Sequence, residues 1–116
     1  MILNNKNILA YHAHIYYADL DGLEKARELA NAANAQFSIK VGRFHEKNVG
    51  PHSMWSCQLS FLPSEYGSIL PWLMLNRGDL DLFVHFVTGD DYFDHTQGVS
   101  WLGSCYELNL SQFTQR

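Results

Sequence analysis

The alternation of apolar and polar positions divides the chain into six elements. Residues 8–17 (ILAYHAHIYY) alternate in character and are rich in β-branched and aromatic side chains, which predicts a strand. Asp19 and Asp21 then offer N-caps to a helix reaching about Ala35, because Leu23, Ala26, Leu29, Ala30 and Ala33 recur at helical spacing. Phe37 to His45 reads as a second strand with Phe37, Ile39 and Val41 on one face. The Gly50-Pro51 punctuation turns the chain into a third strand, His52 to Phe61. Ser64 is placed to cap a second helix through Ile69, Leu70, Leu73 and Met74, closed by Asn76-Arg77-Gly78. Pro71 within it implies either a kink or a start later than Ser64. A fourth strand from Leu80 to Phe86 precedes a Gly/Asp-rich tail, Thr88 to Gly98, and an apolar patch at Trp101-Leu102-Gly103.

The order β-α-β-β-α-β predicts an α+β, ferredoxin-like fold: a four-stranded antiparallel sheet, two helices on one face, and a C-terminal extension. A length of 116 residues suits one domain spanning the chain, 1–116. The first strand is expected at the centre, running parallel to the third and antiparallel to the fourth. Trp55, Cys57, Leu59 and Phe61 in the third strand, and Leu82, Val84 and Phe86 in the fourth, form the rows that should meet the helices.

Composition narrows the function by exclusion. A net charge of −4 without a Lys/Arg cluster argues against nucleic acid as a partner. No apolar run approaches the ~20 residues of a membrane span, and no leader pattern is visible, so a cytoplasmic location is the default expectation. Cys57 and Cys105 share no metal-binding or redox spacing and read as buried, inert thiols.

The six histidines carry more information through placement than through number. His12 and His14 alternate with Tyr11, Ala13 and Ile15, so both point to the face opposite the helices. On the fourth strand Asp81, Phe83 and His85 share that face, and on the third His52, Met54, Ser56, Gln58 and Ser60 do. His52 opens its strand and His85 nearly closes its own, so both are expected at the same end of the sheet as His12. Imidazoles from adjacent strands about 4.8 Å apart can share one ion. His12, His14, His52 and His85 are therefore the candidate metal ligands. His45 is placed at the pocket rim, and His95 reads as a solvated histidine of the tail. Glu46 is the nearest carboxylate in sequence and reads as a solvated loop residue. Arg43 and Arg77 are the candidates for holding a ligand carboxylate.

Several segments together resemble the DOPA 4,5-dioxygenase family. They are Tyr11-His12-Ala13-His14-Ile15-Tyr16, Val41-Gly42-Arg43-Phe44-His45-Glu46-Lys47, Val49-Gly50-Pro51-His52 and Pro71-Trp72-Leu73-Met74-Leu75-Asn76-Arg77-Gly78. Val84-His85, Thr88-Gly89-Asp90-Asp91, Asp94-His95 and Trp101-Leu102-Gly103 follow in collinear order. The resemblance implies a homodimer and a non-haem Fe(II) held by histidines, a site where zinc or another divalent metal can also sit. It implies extradiol opening of DOPA or a related catechol by O₂, with His14 and His45 as candidates for moving protons. Phe86 departs from the family pattern, in which proline commonly follows the histidine, and this bears on substrate identity. The alternative reading from another class is a non-catalytic metal- or small-molecule-binding module on the same fold; a cofactor-free monooxygenase is a third.

Overall fold

The computed structural model describes residues 2–113. Its elements are a 3-10 turn at Asn5–Asn7, β1 (Ala10–Tyr17), α1 (Leu20–Gln36), β2 (Lys40–Val41), β3 (Trp55–Phe61), α2 (Pro63–Asn76), β4 (Asp81–Val87), α3 (Asp91–Thr96) and β5 (Val99–Leu102). They build one five-stranded sheet in the order β2-β3-β1-β4-β5, with every neighbouring pair antiparallel. The fold is α+β with three helices. It differs from the four-stranded expectation because the tail supplies a further helix and a fifth strand, which pairs with β4.

β1 and β3 run antiparallel, which corrects the parallel pairing expected from the sequence. Their register places Tyr17 opposite Trp55 and Tyr11 opposite Phe61. The start of β3 therefore lies beside the end of β1 and away from His12. The second strand is also much shorter than its apolar pattern suggests. Beyond Val41 the chain leaves the ladder, keeping only the bonds from Gly42 N–H to the Gln58 carbonyl (2.7 Å) and from His45 N–H to that of Ser56 (3.0 Å). His52 precedes β3 on a turn that Gly50 enters at a positive φ of 56°.

Local chemistry explains the helix ends. Asp19 caps α1 by accepting from Gly22 N–H at 2.8 Å, while Asp21 sits in the first turn, where its charge suits the helix dipole. α2 starts at Pro63, before Ser64, because proline lacks the N–H that the first turn leaves unpaired. Pro71 stays within that continuous helix.

The core lies between the helices and one sheet face. Ala13, Ile15, Cys57, Leu59, Leu82 and Val84 meet Leu23, Ala26 and Ala30 of α1 and Ile69, Leu70 and Leu73 of α2. Ala26, Ala30 and Ala33 are fully buried, so α1 packs closely on the sheet. Leu59 and Val84 are buried as their rows predict, whereas Trp55 and Phe86 are half-buried. Phe86 sits at the rim, against Phe93 of α3 and against Gly98, where any side chain would collide with its ring. Cys57 is buried as expected, but Cys105 is exposed.

Candidate metal centre

The face turned away from α1 and α2 carries the histidines. Strand parity sets this: His12, His14 and Tyr16 of β1 lie beside Ser56, Gln58 and Ser60 of β3 and beside Asp81, Phe83 and His85 of β4. His12 and His85 are direct cross-strand partners, and His14 stands two residues on, on the same face. One ring nitrogen from each of His12, His14 and His85 lies within 4.8 Å of the other two. His14 Nε2 and His85 Nε2 are 3.2 Å apart. His85 Nδ1–H donates to the Phe86 carbonyl at 2.8 Å, which fixes the tautomer and leaves the Nε2 lone pair turned to His14 Nε2.

The remaining histidines surround this trio. His52 reaches it from the turn before β3, its ring 4.2 Å from that of His14. It thus enters from the Tyr16 side of the sheet, not from the His12 end expected for it. Tyr16 Oη and His52 Nδ1 are 2.7 Å apart. Burial raises the pKa of the Tyr16 phenol, so it keeps its proton and pairs with Nδ1 of His52 as donor or acceptor according to the imidazole tautomer. His95 lies with its ring 4.2 Å from that of His85 and its Nδ1–H on the Asp91 carbonyl at 2.7 Å. This corrects the reading of His95 as a solvated tail residue. The signal for it was the run Asp90 to Thr96, an N-cap followed by one turn of helix.

α3 is held in place by a buried carboxylate. Asp94, 1% exposed, accepts from Thr88 N–H at 2.8 Å and from Thr88 Oγ1 at 2.6 Å. His45 ties its backbone to Ser56, and its side chain is close enough to His52 to disfavour a charge there. Arg43 is exposed on the segment after β2. Arg77 lies elsewhere than its candidate role requires: it donates to the Leu80 carbonyl at 2.9 Å and stands 4.0 Å from Asp81. Asp81 is four residues from His85, about 13 Å along a strand.

The electrostatics favour neutral imidazoles. Desolvation pushes His85 down to about 3 and His52 down to about 4. It holds His14 well below its ordinary value, with the crowding of His52, His85, His12 and His95 adding to the effect. His12 is lowered too, by burial and then by His95, against an opposing pull from Asp94. Neutral histidines with lone pairs free at neutral pH are the state a divalent ion requires.

Comparison with known proteins identifies the family. The profile of the Dopa 4,5-dioxygenase family matches residues 11–112. The chain belongs to this family. A DOPA 4,5-dioxygenase from Amanita muscaria is 30% identical over 116 residues, covering 92% of this chain and 50% of that protein. An uncharacterised 21.2 kDa protein from Botryotinia fuckeliana is 34% identical over 113 residues, covering 88% of this chain and 62% of its own. The chain thus spans between half and two thirds of the length of these two relatives. The crystal structure of a candidate dioxygenase from Nostoc punctiforme superimposes with a TM-score of 0.90 at 36% identity, covering 95% of each chain. No helix among the described residues is long and apolar enough to cross a membrane.

Proposed function

We propose that the chain is a metal-dependent extradiol dioxygenase that opens DOPA or a related catechol, with iron held by His12, His14 and His85. The observation that carries this reading is the 3.2 Å separation of His14 Nε2 and His85 Nε2. Two imidazoles bound to one ion at about 2.0–2.1 Å and roughly a right angle have their nitrogens about 3 Å apart. The donor set fits as well: three uncharged nitrogens, no carboxylate among them, and one tautomer fixed by the Phe86 carbonyl.

His12, His14 and His85 would hold ferrous iron, which would supply the redox chemistry by which a catechol and O₂ react. The protein's own groups then orient the ring and manage protons. In the tautomer that accepts from the Tyr16 phenol at Nδ1, His52 presents an Nε2–H that donates a hydrogen bond to an oxygen at the cluster. His14 lies between His52 and His85, and with its Nε2 committed to the ion it does not carry the ligand's proton, which leaves His52 as the nearer candidate. His45, behind His52, is the second candidate for proton transfer. Burial of His14 and His85 at 4% and 2% exposure limits water at the reacting atoms. Arg43, exposed on the segment after β2, is the residue we assign to the carboxylate of an amino-acid catechol.

The test is anaerobic reconstitution with Fe(II), followed by DOPA, caffeate or catechol and admission of air. O₂ uptake with a visible-absorbing semialdehyde is the expected outcome; iron bound without turnover of any catechol would refute catalysis in favour of a binding module.

A further inference from the structure

We propose that Phe113 is a specificity-determining residue, forming the outer aromatic wall against which a ligand ring seats at the mouth of the histidine cluster. This rests on the catechol reading above. A file of rings leads outward from the sheet: His14 to His85 at 5.3 Å and 14°, His85 to His95 at 4.2 Å and 40°, and His95 to Phe113 at 4.4 Å and 24°. The first two are buried and the last two half-buried, so the file runs from the floor of the site to its rim. Phe113 is the one member without a nitrogen. It neither ligates nor moves protons, and what it contributes is shape and a π face.

The chain reaches that position by crossing the site. After β5, Tyr106 packs on Tyr16 and Trp101, and its hydroxyl donates to Asp81. Asn109 N–H then donates to the Pro51 carbonyl at 2.8 Å, and the Gln112 side chain reaches the Gly50 turn. Phe113 N–H closes a turn onto the Leu110 carbonyl at 3.0 Å, which swings the ring onto His95. The segment therefore spans from the loop that carries His52 to the helix that carries His95. It is fastened by few bonds, so its ring can yield to ligands of different bulk.

The test uses the full chain loaded with Zn²⁺, which holds a catechol without turning it over. 4-Nitrocatechol is titrated by its absorbance change, and DOPA is measured by competition. Phe113→Ala should weaken 4-nitrocatechol about five- to tenfold, the scale of one lost aromatic contact. It should affect DOPA less, because the wall that crowds the DOPA side chain is gone, so the ratio of the two Kd values shifts about threefold or more. Phe113→Trp should hold 4-nitrocatechol near the wild-type Kd and weaken DOPA. Zinc affinity should not change. If the wild type binds both catechols and Phe113→Ala leaves both Kd values within twofold, the role of Phe113 is refuted while the catechol reading stands. A parallel fall in zinc affinity would equally refute it, by making Phe113 a support for the cluster. Wild-type protein that binds zinc but neither catechol overturns the catechol reading, and this inference with it.

Discussion

Lowering the pH from about 7.5 to about 5.5 should destabilise the metal-free protein, because the fold keeps its histidines neutral. The direction follows from linkage. His85 is pushed down to about 3 and His52 to about 4, whereas an unfolded chain protonates its histidines near 6.5. Below that ordinary value the unfolded state binds more protons than the native state, so stability is complete above it and is lost as pH falls toward the folded values. Each histidine kept neutral across this window contributes about 1.4 kcal/mol to the loss. His52 and His85 together give about 3 kcal/mol, and His14, lowered by the same burial, adds to the loss in the same direction. Against a typical domain stability of about 5–15 kcal/mol this is a large fraction. Urea unfolding followed by tryptophan fluorescence at three pH values would measure it, with the midpoint falling and the slope constant. A loss under about 0.5 kcal/mol would refute the reasoning, since the imidazoles would then be solvated or already charged in the native state.

Two further outcomes follow from the site. His12→Ala or His85→Ala should lower bound divalent metal by about tenfold or more, and His95→Ala should leave it near the wild-type level, as elemental analysis after dialysis would show. Asp94→Ala removes a buried carboxylate from both Thr88 donors and should cost about 2–4 kcal/mol in chemical denaturation, whereas Asp94→Asn, which preserves an acceptor for Thr88 N–H, should cost clearly less.

The trio of β1 and β4 histidines was legible because face depends only on parity. His12 and His14 share a face whatever lies beside them, and His85 falls on it by the alternation of Leu82, Val84 and Phe86. This is why the mistaken direction of β3 did not disturb the trio. Direction decides position along a strand, however, and there the same mistake placed His52 at the wrong end. Only the irregular chain from Gly42 to Met54 brings it to His14, by a path that no periodicity encodes. The second strand shows a related limit. Phe37, Ile39 and Val41 are apolar because they pack against the core, yet only Lys40 and Val41 join the ladder.

The tail explains the rest of what the sequence concealed. α3 has six residues and β5 four, both shorter than the window in which a period can be read. What fixes them is tertiary: Asp94 on Thr88, β5 on β4, Asn109 on Pro51. These contacts bring His95 and Phe113 over a sheet face that would otherwise stand open, next to histidines whose low pKa values depend on that burial. The strands can therefore set the ligand nitrogens on one face, but they cannot by themselves make the dry, walled surroundings that keep those nitrogens neutral. That falls to segments whose sequence carries almost no periodic signal, as is general where loops on a rigid sheet build a site.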